Sequence, residues 1–277
     1  MIQKKSLVGA AILLMIILTL TVCDGTGTGS GLPGRQEETA LDEEALIEAA
    51  LAGGEEQAAD VKASDFGYIR NENGTGVIIT YITPMPQNVV IPDTLDGLPV
   101  VGFRSGWSIG VFYGNDKITS VTIPGTVTDI PDVAFYGCSN LTTVTLNSGT
   151  KTIGESAFSE CGSLVRVTLP EGLTAIGNSA FNSCSRLPVI TLPQGLTSMG
   201  NGVFADCTSL AKVTLPEGLT TVGNAVFANC RNLSDLNVPE SLSTFGRSGT
   251  AVFNNCHKLP LATRDKLTAQ GYDGRGF

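Results

Sequence analysis

Histidine, charge and paired cysteines are all scarce in this sequence of 277 residues. It contains one histidine, His257, and only 16% of its residues are charged. A single histidine makes most histidine-dependent catalysis and metal binding unlikely, and the sequence contains no Cys-x-x-Cys pair of the kind typical of zinc sites. A phosphate-binding Gly-rich loop and calcium-type Gly-Gly-x-Gly-x-Asp repeats are also missing. We therefore expect no enzyme activity, no cofactor and no bound metal.

Positive charge is in short supply as well. The formal net charge is -9, which argues against nucleic acid as a partner because phosphate binding needs a basic surface. It argues equally against electrostatic docking on anionic lipid. With 42% hydrophobic residues, 33 Gly and 13 Pro, the chain is too apolar for disorder and too rich in turn formers for a helical bundle.

The N-terminus, residues 1–22, has the layout of a secretory signal. Lys4 and Lys5 precede an uncharged apolar run from Leu7 to Val22, and Cys23 follows directly. A cysteine in this place resembles a bacterial lipobox, which implies lipidation of Cys23 and membrane attachment through that lipid. Val22 stands where Gly, Ala or Ser is usual. An ordinary cleaved signal, or an uncleaved anchor with an incidental cysteine, is the alternative interpretation.

Two short regions separate this signal from the main pattern. Residues 23–64 are rich in Gly, Thr and Ser and then in Glu and Ala, which predicts a flexible acidic tether with no site in it. Within it, Leu41, Ala45 and Leu46 could form one side of a short helix. Residues 65–102 contain apolar runs on both sides of Asn73-Gly74, a strong hairpin signal, and are predicted to form an N-terminal β cap.

A repeat fills residues 103–259. A phenylalanine followed three residues later by a cysteine recurs every 23 residues, from Phe135 and Cys138 to Phe227 and Cys230, and once more after 26 residues at Phe253 and Cys256. A degenerate first copy has Phe112 and Asn115. A period of this length predicts a solenoid, here of about seven coils.

Each copy has the same short alternating segment. In Val167-Thr168-Leu169-Pro170, Val and Leu are expected to point inward and Thr outward from a short strand. Pro-Glu-Gly and Gly-Asn pairs then turn the chain. A single coil buries too few apolar side chains to offset the entropy of ordering 23 residues, so only the stack is stable. The fold class is therefore a β-rich solenoid.

The pattern Leu-x-x-Val-x-Leu-Pro, followed by Leu-x-x-Ile-Gly-x-x-Ala-Phe-x-x-Cys, resembles the BspA-like class of bacterial leucine-rich repeats. This resemblance covers residues 103–259 and implies a cell-surface or secreted protein used for adhesion to host or other cells. It implies a protein or glycan partner, but it transfers no binding residues because the shared motif is the scaffold. Residues 260–277 include a segment of helical spacing that ends at Gly271, and they are predicted to be the C-terminal cap.

The six repeat cysteines have three interpretations. They occur once per coil at one offset, so they form a ladder and not a cluster of metal ligands. Disulfides between coils would suffer from parallel Cβ directions. We favour structural thiols at a loop corner, with Asn115 filling that place in the first copy, over disulfides and over a metal or redox role.

The outward strand positions are the candidate contact residues. One row is threonine in all but the last copy, and the adjoining row changes from coil to coil. Two matched threonine rows could indicate ice binding, but only the coil of Thr143 and Thr145 has a threonine in both rows. Threonine is also simply a good strand residue. The predicted ligand contacts are Thr143, Thr145, Arg166, Thr168, Thr191, Lys212, Thr214 and Asp235.

Two residue types that occur only once, His257 and Trp107, are expected to have no catalytic or ligand-binding role. His257 lies in a turn of the last coil with no second histidine near it in sequence. Trp107 lies in the irregular lead-in to the first coil, where it is expected to pack and not to stack on a ligand. We therefore expect a lipid-anchored envelope protein, displayed on the outer surface, that recognises a protein or glycan. An envelope scaffold without an external ligand is the alternative.

Overall fold

The computed structural model describes residues 45, 47–48, 62–106, 110–247 and 251–277. The predicted signal peptide at 1–22, Cys23, most of the tether and Trp107 lie outside these residues. The predicted fold is confirmed: the chain is a β-solenoid of about seven turns with coils of about 23 residues and a short C-terminal helix. Within the described residues, no helix is long and apolar enough to cross a membrane.

The N-terminal sheet is built around the hairpin predicted at Asn73-Gly74. A short 3-10 helix, Ala63–Asp65, leads into it. Strands β1 and β2 pair antiparallel, β5 runs parallel to β2, and β4 pairs antiparallel with β5. Gly74 has a positive φ of 71°, which suits glycine in the tight turn. The four strands are β1 (Phe66–Arg70), β2 (Val77–Ile82), β4 (Thr94–Leu95) and β5 (Leu98–Phe103).

Strand β3 (Asn88–Val90) lies between these strands in sequence but belongs to the solenoid. It pairs in parallel with β6, with Val89 opposite Val121. Both valines are buried, so the first rung of the solenoid begins inside the region predicted as the cap.

The predicted outward-facing strands form one side of the solenoid, which we call the long-strand face. Val144 and Leu146 are buried while Thr145 between them is half-exposed, as the alternation predicts. From β6 to β10 and again from β12 to β16, neighbouring strands run parallel and in register at intervals of one coil. With β3, the strands are β6 (Ser120–Ile123), β8 (Thr143–Leu146), β10 (Arg166–Thr168), β12 (Val189–Thr191), β14 (Lys212–Thr214) and β16 (Asp235–Leu236).

A second parallel sheet, the short-strand face, was not predicted from the sequence. Its strands have two residues each, too few to show an alternation. They form one unbroken sheet of six strands. The strands are β7 (Asp129–Ile130), β9 (Thr152–Ile153), β11 (Ala175–Ile176), β13 (Ser198–Met199), β15 (Thr221–Val222) and β17 (Thr244–Phe245).

The repeated phenylalanines fill the interior as a column of parallel rings. Adjacent rings stack with centroids 4.7 to 5.8 Å apart, and the two rings of each pair are within 17° of parallel. The column therefore couples every coil to the next. Its members are Phe112, Phe135, Phe158, Phe181, Phe204, Phe227 and Phe253, all fully buried.

Helix α1 (Leu261–Ala269) closes the C-terminal end, as predicted. Its one buried residue is Leu267, and the Tyr272 ring that follows packs edge-on against Phe253. The last ring of the column is thus covered by an aromatic residue outside the repeat, which is what a capping segment must do.

Candidate functional site

The six repeat cysteines are free thiols buried in the interior. Each Sγ donates a hydrogen bond of 2.9 to 3.3 Å to the carbonyl oxygen of the repeated phenylalanine in the preceding coil. A cysteine at this position therefore satisfies a buried carbonyl and helps to hold two coils together. Asn115, at the equivalent position of the first copy, makes different contacts. Its Oδ1 accepts hydrogen bonds from the backbone amides of Lys117 and Ile118 in its own loop, at 2.9 and 3.1 Å.

The burial of these cysteines controls their protonation. Loss of solvation raises the pKa of the Cys161, Cys184 and Cys230 thiols well above the ordinary value, and it raises the pKa of Cys256 to about 12. Because the thiolate is the nucleophile and the metal ligand, a thiol that stays protonated at neutral pH is suited to packing and hydrogen bonding.

The predicted contact residues lie on the long-strand face. The register places Arg166 beside Thr143, Thr168 beside Thr145, and Thr214 beside Thr191. Lys212 lies beside Asp235, and its Nζ is 3.5 Å from the Asp235 Oδ2. The eight residues therefore form two adjacent columns, with basic groups at Arg166 and Lys212 and a carboxylate at Asp235.

One interruption divides this face between β10 and β12. In five neighbouring coils the amide just before the strand donates to the carbonyl of the preceding coil, and Pro188 occupies that position ahead of β12. Proline has no amide hydrogen to donate. The five bonds are Thr119 to Gln87, Thr142 to Thr119, Val165 to Thr142, Ala211 to Pro188 and Ser234 to Ala211.

The consequence is a gap that we call the seam. Strand β10 is the last strand of one long-strand sheet and β12 is the first of another. Val167 and Leu169 beside the gap are only half-buried, whereas the equivalent Val144 and Leu146 are buried. The same coils stay joined on the other side, where β11 and β13 pair in register. The seam is therefore local to the long-strand face.

A cavity of about 210 Å³ lies at the seam. Its lining includes Arg166, Thr168 and Thr191, three of the predicted contacts, together with Val189 and Ile47. Ile47 belongs to the acidic tether. Its side chain is 7% exposed and packs with Val165 and Val189, which are 1% and 4% exposed.

Ile47 bears on two predictions about the tether. Ala45, Ile47 and Glu48 are helical, with Ala45 exposed and Ile47 buried, whereas Leu41 and Leu46 of the predicted apolar side lie outside the described residues. The tether is not solvated throughout, because Ile47 is buried. The available signal was the pair of valines, Val165 and Val189. Other coils have Thr, Pro, Ala or Ser at the position of Val165, and Ser, Thr, Arg, Lys or Asp at that of Val189.

Two further patterns do not build a catalytic site. His257 is exposed in the last turn, and its backbone carbonyl accepts a hydrogen bond of 2.8 Å from the Arg264 guanidinium. Residues 106–110 spell Gly-x-Ser-x-Gly, and Ser108 lies outside the described residues. A nucleophile elbow requires a strand, a sharp turn and then a helix. Here β5 precedes the pattern and bends and turns follow it.

The chain is similar to several bacterial repeat proteins. A leucine-rich repeat protein of T. pallidum is 31% identical over 78% of this chain and 97% of its own length, with a TM-score of 0.52. A leucine-rich cell surface protein of Faecalibacterium prausnitzii is 30% identical, with a TM-score of 0.58. That match spans 76% of this chain and 55% of the other. A comparison with curated proteins finds no match.

The repeat itself matches a family model. Six copies of the BspA type leucine-rich repeat region align with residues 108–205 and 134–260, which together make up more than half of the chain. The matched region contains the phenylalanine column, the cysteine ladder and most of both strand faces. The chain therefore belongs to the family of BspA type leucine-rich repeat proteins.

Proposed function

We propose that this chain is a lipid-anchored protein of the cell envelope that recognises a protein or glycan through its long-strand face. One observation carries the proposal. The interior repeats the same residue types in every coil, while one outward row changes its chemistry at each step: Ser120, Thr143, Arg166, Val189, Lys212 and Asp235. A rigid ladder that displays a non-repeating row is suited to specific recognition.

The dimensions of the face limit what it can bind. Seven strands about 4.8 Å apart span about 30 Å, and two to four residues per strand give a width of about 10 Å. The resulting area of roughly 300 Å² is smaller than the ~800 Å² that each partner of a standard protein interface buries. The face alone therefore fits a glycan or a short peptide segment, and a larger protein must also contact the adjoining turns.

Location supports the same proposal. A relative at 30% identity is described as a cell surface protein. In this chain an apolar N-terminal run ends at Cys23, which would be the lipidated residue, and the acidic segment that follows would hold the solenoid away from the membrane. Protease treatment of intact cells, with permeabilised cells as the control, tests this location. Digestion only after permeabilisation would contradict display on the outer surface.

Binding is tested by presenting the purified chain to a panel of immobilised matrix proteins and glycans. We expect saturable binding that Arg166→Thr and Lys212→Thr each weaken about tenfold, a change of about 1.4 kcal/mol. Lys151→Thr is the matched control, since Lys151 is exposed beside β9 on the short-strand face. Equal losses in all three variants would contradict recognition through the long-strand face. Absence of binding across the panel would contradict the proposal and favour an envelope scaffold.

A further inference from the structure

The seam has the features of a docking site for one aliphatic side chain. It is open because Pro188 cannot donate to the Val165 carbonyl, and its outer rim is apolar at Val165 and Val189. The coil of β14 has Ala211 and Lys212 at the equivalent positions, and both are half-exposed. Without a cover, two valines on an outward-facing strand edge would contact water.

Ile47 is the cover. Its side chain, and no other described residue outside the repeat, forms a buried apolar cluster with Val165 and Val189. It approaches from a helical stretch in which Ala45 and Glu48 are both exposed. Among the three described residues of the segment, Ile47 is therefore the one that contacts the solenoid, and Ala45 and Glu48 are directed to solvent.

Charge favours the same arrangement. The segment around Ile47 includes Asp42, Glu43, Glu44 and Glu48 and has no basic residue between positions 36 and 61. Val189 lies in its outward row between Arg166 and Lys212. Glu171 also lines the cavity, so the site is basic on the strand side and has one carboxylate at the turn. Opposite charges around an apolar anchor orient a docked helix.

We propose that the seam is a docking site for an aliphatic residue carried on an acidic helical segment, and that the segment around Ile47 of this same chain occupies it. Ile47 lines the same cavity as Arg166, Thr168 and Thr191, so a ligand that enters this cavity must displace it. That consequence rests on the function proposed above, whereas the docking itself does not.

Hydrogen exchange of the full chain, read by mass spectrometry, tests the docking. A short isolated helix is marginal in water, so protection of the amides around Ile47 requires that the segment is docked. We expect Ile47→Asp to increase their exchange about tenfold or more, as local release of a docked segment does. The matched control is Ala45→Asp, which adds the same charge at an exposed position of the same segment. Unchanged exchange in Ile47→Asp would overturn the proposal.

The solenoid side is tested separately. Val189→Asp should release the segment, whereas Thr145→Asp, two coils away on the same face, should not. Exchange in β14 and β15 shows whether each variant remains folded. Pro188→Ala introduces the residue that the next coil has at the equivalent position, Ala211. It should restore the missing hydrogen bond, narrow the seam and loosen the segment. Full protection of the amides around Ile47 in this variant would show that the seam does not cause the docking.

A labelled peptide of residues 38–53 distinguishes the possible occupants. It should bind the Ile47→Asp chain more tightly than the unaltered chain, whose own segment competes for the site. Exchange protection that rises with protein concentration would instead identify a second copy as the occupant and overturn the intramolecular arrangement. If docking holds but Ile47→Asp does not change affinity for a ligand found in the panel, the docking is correct and recognition uses another surface.

Discussion

Alkaline pH should destabilise this solenoid through its buried cysteines. Burial raises the pKa of the Cys161, Cys184 and Cys230 thiols and raises that of Cys256 to about 12, from an ordinary value of 9.0. The folded chain therefore holds these protons more tightly than the unfolded chain. The stabilisation is complete below about pH 9 and is lost as the pH rises toward 12.

The size of the effect follows from proton linkage. At pH 10 the Cys256 thiol is mostly ionised in the unfolded chain and mostly protonated in the folded chain, which removes about 1 kcal/mol of stability relative to neutral pH. The buried Cys161, Cys184 and Cys230 thiols, whose pKa is raised by the same loss of solvation, add to this loss. Since a domain of this kind is stable by only about 5–15 kcal/mol, the loss near pH 10 should be readily measured.

Urea unfolding in the presence of a reducing agent, at pH 7, 8, 9 and 10, measures this loss. Cys256→Ala is the control, because it removes one titrating group and should retain about 1 kcal/mol more of its neutral-pH stability at pH 10. Contributions from other groups, such as Tyr136, whose pKa is raised to about 12 by its hydrogen bond to Glu160, are common to both proteins and cancel. If the free energy of unfolding falls with pH by the same amount in both proteins, the Cys256 thiol is not the cause.

Two packing predictions concern the interior. Phe181 is fully buried, and the centroid of its ring lies 5.3 Å from that of Phe158 and 5.6 Å from that of Phe204. Phe181→Ala should therefore lower the free energy of unfolding by about 3–5 kcal/mol for the truncation. The two lost ring contacts should lower it by roughly 1–2 kcal/mol more. Thermal unfolding checks this, and a loss below about 2 kcal/mol would show that the column is not continuous. A Cβ added at Gly177 would lie 2.8 Å from backbone atoms of the preceding coil, so Gly177→Ala should cost about 1–3 kcal/mol. Gly218→Ala, whose nearest atom is 3.7 Å away, should cost much less, and equal losses in urea unfolding would contradict the steric explanation.

The fold was predictable because its main signal is a distance in sequence. Phe and Cys at a constant spacing of 23 must stack if the coils stack, and alternation at Val-Thr-Leu shows which residues point inward. The short-strand face was not predictable in the same way. A strand such as Ala175–Ile176 is defined by hydrogen bonds to its neighbours and not by an alternation of its own.

The candidate site was predictable only in part. The sequence indicates that Arg166 and Lys212 point outward, because they replace polar residues on a strand whose other side is apolar. It does not indicate that Ile47 reaches Val189, some 140 residues later, since that contact depends on where the tether folds back. The importance of Pro188 appears only once the register shows which carbonyl loses its donor.

The departures from the repeat, and not the repeat, bear on function in this chain. The column of rings and the ladder of thiols would be the same for any ligand or for none, because they only hold one coil to the next. Pro188 instead removes a hydrogen bond from one face, while the short-strand face and the ring column keep the same two coils joined. A local rule broken where the surrounding structure tolerates it is characteristic of functional positions. Among the charged and apolar exceptions in the outward row, Arg166 and Val189 lie at that gap, Lys212 is one coil beyond it and Asp235 is two. The search for a ligand should therefore begin at the seam, with the segment around Ile47 released.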